Sequence, residues 1–421
     1  MKHHLEPRPE LGILATFIPN KKMPVYNWFY YKEGFARELV HKMLDDFNMT
    51  KGKVVLDPFC GSGTTLLACK EKGVDAIGLD TMPASVLASK VKTRDYNIQK
   101  LEEAAKALLA HRYQKGLHVS VPDFVRRYFS KYALEDIYFF RGHILDNDDL
   151  AVRDFLLLGL ISAAMRASFA WKDGAVLKIK KHPNPPFRKM LSKTYRKMLK
   201  DLERFPISGT ETISTREKSA SHTPASASEK APARTNQSKA SQLSESGLLE
   251  KARRSWANIT VHQDDARRMT DIPDESVDAV ITSPPYLNNI DYQKVYAIEN
   301  WLASGELAPA VRSYIGGAGA EGDEFIPGMP PAAQEYFKDM NEVLKELFRV
   351  CKKESRLAIV VGNAYFPPPY SPVESDVILA ELAEKIGFKA EKIWVVNQRA
   401  ALRDRTTKIG TLRESVIILQ K

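Results

Sequence analysis

Two short strings of the chain carry residue types suited to chemistry. Val54–Thr65 reads VVLDPFCGSGTT and Thr282–Tyr286 reads TSPPY. In the first, strand-like Val54, Val55 and Leu56 run into Asp57, Pro58 and Phe59, then into a turn spaced by Gly61 and Gly63. Thr64 and Thr65 open a short helix, for which Gly73 is a left-handed cap. A buried strand, a glycine turn and a helix start make a nucleotide-sized pocket at the carboxyl end of a parallel strand. Gly61 and Gly63 let backbone approach a ligand where a Cβ would collide. No Gly-Lys-Ser/Thr follows, so this is not a P-loop, and the third glycine of the dinucleotide fingerprint is missing. A tight turn without a ligand is the plain alternative, and partner residues decide against it. Asp75–Asp80, DAIGLD, reads as a second strand ending in the acid that a doubly wound sheet offers to a ribose. The second string follows a third strand, Asp278–Ile281.

With these residues in view, the chain resembles the S-adenosylmethionine-dependent amino-methyltransferases, which modify exocyclic amines of bases in nucleic acid. Their cofactor motif is similar to DPFxGSGTT, and their catalytic motif is Asp/Asn/Ser-Pro-Pro followed by Tyr, Phe or Trp. The resemblance covers roughly residues 25–95 and 255–421. It implies an α/β, Rossmann-like class I methyltransferase fold with a mostly parallel seven-stranded sheet. It also implies S-adenosylmethionine as cofactor, held by Asp57, Pro58, Phe59, Gly61, Gly63, Thr64, Thr65, Asp80 and Asp265. Asp265, directly before Ala266, matches the family's acid at the end of a further strand, Ile259–Val261. Gln263-Asp264 departs from the usual string there, so Asp264 stays open as the alternative. The implied catalytic residues are Ser283, Pro284, Pro285 and Tyr286.

The chemistry explains the residue types. An exocyclic amine is a poor nucleophile because its lone pair is delocalised into the ring, and it must pyramidalise to attack a sulfonium methyl. Acceptors placed against its hydrogens favour that change. Ser283 Oγ and the Pro284 carbonyl suit the task, since a proline pair fixes the chain with its carbonyls outward. Tyr286 is expected to stack on a base swung out of its helix. Aligning nitrogen, methyl carbon and sulfur is then proximity catalysis with electrostatic help.

Within the resembled family, Ser at the first motif position with Tyr after the prolines points to N4 of cytosine, and Asp or Asn more to adenine N6. Methylation at carbon-5 of cytosine needs a cysteine nucleophile, usually after proline. None of Cys60, Cys69 and Cys351 follows a proline. DNA is favoured over a structured RNA such as ribosomal RNA because an insertion between cofactor and catalytic motifs matches one arrangement of the DNA enzymes. A catalytically idle binding protein and a small-molecule amine methyltransferase are the other classes. The intact SPPY opposes the first, and the basic insertion opposes the second.

Several elements must position these residues. The division expected is 1–96 for an N-terminal segment and the first half of the catalytic domain, 97–206 for a helical, basic insertion between strands two and three, 207–250 for a flexible linker, and 251–421 for the second half. Residues 1–24 read as irregular, broken by Pro7, Pro9, Pro19 and Pro24. An aromatic cluster follows at Tyr26, Trp28, Phe29, Tyr30 and Tyr31, open to core packing or to a place beside the cofactor. The insertion holds a dense run of Lys178, Lys180, Lys181, Arg188, Lys189, Lys193, Arg196, Lys197 and Lys200, interleaved with Phe187 and Tyr195. It reads as either a phosphate-binding surface or a solvated helix face. Residues 207–249 contain no aromatic residue and cannot offset the entropy of ordering.

A 421-residue chain with net charge +10 and pI near 9.2 suits a polyanionic partner. The three cysteines have no metal-ligand or disulfide spacing, so no metal is expected and a reducing cytoplasm is. The most apolar run, Phe155–Met165, is short for a membrane span and reads as a buried helix.

Overall fold

The computed structural model describes residues 3–112, 121–173, 176–180, 185–205, 257–287, 291–305, 325–366, 372–403 and 407–421. The expected linker and Lys181 lie outside the described residues.

The central sheet contains β1 (Leu5–Pro7), β2 (Val54–Asp57), β3 (Asp75–Asp80), β4 (Ile259–Gln263), β5 (Val277–Thr282), β6 (Cys351–Gly362), β7 (Lys389–Arg403) and β8 (Thr407–Gln420). Their spatial order is β1-β7-β8-β6-β5-β2-β3-β4. Only β8 runs against its neighbours. This is the α/β, mostly parallel architecture expected, with eight strands where seven were expected. The added strand is Leu5–Pro7, which pairs in parallel with Ile393–Val395 at the sheet edge. Proline is tolerated there because an edge strand needs donors on one side only. Three residues flanked by prolines carry no strand periodicity, so the sequence reading left this segment irregular.

Strand alternation divides the interior. Val55, Ala279, Ile281, Ala358 and Val360 face the helices Arg37–Asp46 and Thr64–Lys72. Leu56, Val280, Leu357, Ile359 and Val361 face Pro331–Val350 and Ser375–Ile386. Both layers are therefore closed by helices, as a parallel sheet requires. Gly73 caps the helix of the first motif in the left-handed region, with φ +69°.

The segment after Asn97 is helical: Ile98–Ala110, Asp123–Arg126, Lys131–Leu145, Leu150–Ala167 and Phe187–Arg204, with a hairpin of Ala170–Asp173 and Val176–Ile179 before the last. Asp149 caps the fourth helix, its side chain accepting from the Ala151 and Val152 amides. These helices pack in one cluster with Trp28, Phe29 and the helix Pro83–Thr93. Tyr26, Trp28 and Phe29 are thus core residues, while Tyr30 is 45% exposed. The Phe155–Met165 run lies in a buried helix, and no described helix is long and apolar enough to cross a membrane.

Phe187 and Tyr195 are buried, so the aromatics of the basic run form the inner face of the helix Phe187–Arg204. Lys189, Lys193, Arg196 and Lys200 are exposed at helical spacing on the outer face. Arg188 instead pairs with Asp136 at 2.8 Å, and Lys197 bonds Asn27 and Asp201.

Gly159 is where the helix Leu150–Ala167 meets Tyr195. A Cβ there would come within 2.8 Å of Tyr195 Cδ1, on a ring that is fully buried and bonded through its hydroxyl to the Leu156 carbonyl. Ala gains about 1 kcal/mol of helix propensity over Gly, but overpacking costs about 1–3 kcal/mol. Gly159→Ala is therefore expected to lower stability in urea unfolding, and a gain would show that the ring is free to move.

Candidate active site

Seven parallel strands present their carboxyl ends along one edge of the sheet, and a cavity of about 550 Å³ opens there. Asp57, Pro58, Phe59, Gly61, Thr64, Asp80, Asp265, Ser283, Pro284, Pro285 and Tyr286 all line it. Residues as distant in sequence as Asp57 and Tyr286 meet because β2 and β5 are adjacent, with Val55 opposite Ala279. Gly63 and Thr65 do not line the cavity. Gly63, at φ +78°, precedes the helix and leaves room for Ser89, whose Oγ would lie 2.8 Å from an added Cβ. Thr65 donates to the Ile281 carbonyl at 3.3 Å and so joins the helix to β5.

Gly61 was read as an opening for ligand. Its φ of +50° does favour glycine, but the atom that a Cβ would meet is Tyr31 Cε1, at 2.8 Å. The glycine admits the ring of Tyr31, which itself lines the cavity. Two carboxylates brace the turn. Asp57 Oδ1 accepts from Thr282 Oγ1 at 2.6 Å and from the Phe59 amide at 3.2 Å. Asp80 accepts from the Gly61 amide at 2.9 Å and the Met82 amide at 2.8 Å. From behind, Ser89 Oγ donates to the Gly61 carbonyl at 3.0 Å, and buried Lys92 donates to the Ser62 carbonyl at 2.9 Å. Burial lowers the Lys92 pKa to about 7. Sequence reasoning missed Ser89 and Lys92, which sit at ordinary helix positions with no local signal of a role.

Asp264 and Asp265 both reach the cavity. The Asp265 carboxylate is held by Arg267 at 2.6 Å, and Arg267 also pairs with Asp339 at 3.0 Å. The Asp264 amide donates to the Asp80 carbonyl at 3.2 Å. At the second motif, Ser283 Oγ bonds the Val360 carbonyl at 3.1 Å. A carbonyl only accepts, so in this bond the serine gives its hydrogen to β6 and Oγ keeps its lone pairs, within hydrogen-bond reach of the Tyr286 hydroxyl at the cavity. Tyr286 donates its hydroxyl to Glu414 Oε1 at 2.7 Å, and its ring lies against Gly362, where an added Cβ would approach to 2.6 Å. That anchorage was not foreseen. Neither was the rim formed by Asn397, Arg399, Arg413 and Glu414 on β7 and β8.

Burial pushes the Asp57 pKa up to about 6, against hydrogen bonds from the Thr282 hydroxyl and the Phe59 amide. It pushes Asp80 up to about 7, against the Met82 and Gly61 amides. Among the described residues neither carboxylate is paired with a cation, and such buried acids fit a ligand that is cationic and rich in hydroxyls, as S-adenosylmethionine is. Such a ligand favours the ionised forms, and both free-protein pKa values are raised, so acidification loads protons that the ligand must displace. Calorimetric titration is expected to show affinity falling from about pH 8 to about pH 5.5, and Asp80→Asn should bind more weakly at pH 8 with a flatter profile near pH 7. An identical profile in Asp80→Asn would exclude that carboxylate from the contact.

A family model described as DNA methylase matches residues 15–90. The Type II methyltransferase M.BsoBI of Geobacillus stearothermophilus is 27% identical over 97% of this chain and 88% of its own length. M.AvaI, a Type II methyltransferase of a Nostoc species, is 25% identical over 97% of this chain and 89% of its own. Among solved structures, a SAM-dependent methyltransferase from Methanosarcina mazei aligns over 90% of this chain and 96% of its own, with 11% identity and a TM-score of 0.29. The strand-end acids, the glycine turn and the SPPY loop stand together in one cavity, and in its matched segment and its relatives the chain is similar to S-adenosylmethionine-dependent amino-methyltransferases of the N4/N6 type.

Proposed function

We propose that this enzyme methylates the exocyclic N4 amine of cytosine in DNA. The observation that carries the proposal is the orientation of Ser283: with its hydrogen given to Val360, its oxygen is left as an acceptor at the cavity. The family description and the two Type II relatives support DNA as the polymer. Serine rather than Asp or Asn at the first motif position supports cytosine over adenine. An outward stripe of Lys189, Lys193, Arg196 and Lys200 supports a phosphate backbone as partner.

In this reading Asp80 accepts from the ribose of the cofactor, and Asp57 holds the turn and the SPPY loop in one register. Asp264 and Asp265 stand at the adenine end. The bound cofactor supplies a methyl group activated by its sulfonium. Ser283 Oγ and the Pro284 carbonyl accept the two amine hydrogens, and these bonds strengthen as the nitrogen pyramidalises and its protons become acidic. No strong base is needed. Tyr286 offers a ring edge and a face to the target base while Glu414 and Gly362 hold it still.

Nucleoside mass spectrometry of duplex DNA treated with the enzyme is expected to give N4-methylcytosine. N6-methyladenine instead would overturn the choice of base, and methylation confined to ribosomal RNA would overturn the choice of polymer. Ser283→Ala should slow single-turnover methyl transfer roughly ten- to a thousandfold with little change in DNA affinity. Tyr286→Ala should weaken capture of the target base by about 1–3 kcal/mol. A wild-type rate in Ser283→Ala would remove the SPPY loop from the chemistry. Reversing Lys189, Lys193 and Arg196 to Glu should weaken DNA binding and flatten its salt dependence while cofactor affinity stays unchanged.

A further inference from the structure

Beside the cavity stands the hairpin of Ala170–Asp173 and Val176–Ile179, in which Trp171 is paired with Lys178 and Lys172 with Leu177. Alternation along the first strand turns Lys172 inward and Trp171 outward. Lys172 Nζ pairs with buried Glu299 at 2.5 Å and lies 3.3 Å from the centroid of the Tyr296 ring. Tyr296 stacks on Tyr31 at 4.9 Å and donates its hydroxyl to Glu33 at 2.5 Å. Tyr31 and Glu33 are cavity wall. A buried cation, which is costly to leave unpaired, thus pins the hairpin to the wall of the active site. Further bonds stiffen it, from Tyr128 to the Leu177 carbonyl at 3.1 Å and from the Lys180 amide to the Phe169 carbonyl at 2.8 Å.

The outward side is built differently. Trp171 is 53% exposed, and Lys180 Nζ sits 4.8 Å from the Trp171 ring. Lys178, opposite Trp171, pairs with Asp173 at 2.6 Å. A lone exposed apolar side chain needs no explanation. An indole flanked by two lysines on a ribbon pinned to the active-site wall carries a flat π-face and positive charge together, which matches stacked bases and their phosphates. A two-stranded ribbon also fits the major groove of a duplex.

Resting on the proposed function, we propose that the outward face of this hairpin enters the DNA at the target pair, with Trp171 stacking in the gap that the extruded base leaves. Extrusion costs unstacking and unpairing energy, so a side chain that fills the gap favours it.

The test compares single-turnover methylation of two duplexes, one with the target base paired and one with it opposite an abasic site. Trp171→Ala is expected to slow transfer roughly ten- to a hundredfold on the paired duplex. On the abasic duplex, where unpairing is already done, it should stay within about threefold of wild type. Trp171→Phe, which keeps a ring, should be near wild type on both, and Trp171→Thr, which keeps strand propensity, should match Trp171→Ala. Unchanged cofactor affinity marks each variant as folded. Equal losses on both duplexes, or none on either, would overturn the proposal while an active wild type leaves the function standing. A wild type that methylates neither duplex would overturn both.

Discussion

The hydrogen bond from Thr282 to Asp57, 2.6 Å long and buried, is the joint on which the active site depends. It ties the end of β2, which begins the cofactor turn, to the end of β5, which begins the SPPY loop. Parallel strands alone would bring these ends to one edge, since Val55 and Ala279 are already opposite. The bond makes their relative height a matter of one oxygen–oxygen distance. Burying a carboxylate for this purpose is costly, and the raised pKa of Asp57 records the cost.

The cofactor turn is braced on every side by groups outside its own motif. Asp80 holds Gly61 from β3, and Ser89 and Lys92 hold the Gly61 and Ser62 carbonyls from the helix behind. Tyr31 covers the space at Gly61 that a side chain would need. Rigid placement of this kind is what a methyl transfer by alignment requires, because a displacement of an ångström is enough to lose it.

The helices after Asn97 divide their charges and aromatics by face. Apolar residues of Phe187–Arg204 close the core while Lys189, Lys193, Arg196 and Lys200 face outward. Lys172, on the hairpin, spends its charge inside, on Glu299 and the face of Tyr296. Through Tyr296 and Tyr31 this contact runs without a gap from the hairpin to Gly61. The basic segment and the cofactor turn are therefore parts of one packed body.

Local pattern in the sequence determined the strands and the acids at their ends. Val54–Leu56, Asp75–Asp80 and Asp278–Ile281 are short apolar runs closed by motif residues, and a parallel sheet delivers the ends of such strands to a single edge. The φ of +78° at Gly63 and the cap at Gly73 were likewise legible, because a left-handed backbone selects glycine locally. Contacts between distant segments were not legible. Leu5–Pro7 becomes a strand only because β7 offers it an edge, and the polar ends of β7 and β8 hold as strands because each pairs with the other. Only the tertiary structure decided that Gly61 makes room for Tyr31, that Tyr286 is anchored by Glu414, and that Lys92 lies beneath the turn. Each of these joins residues whose types are ordinary in their own stretch of chain. Their roles come from which neighbour the fold sets beside them, and periodicity along the sequence holds no record of that.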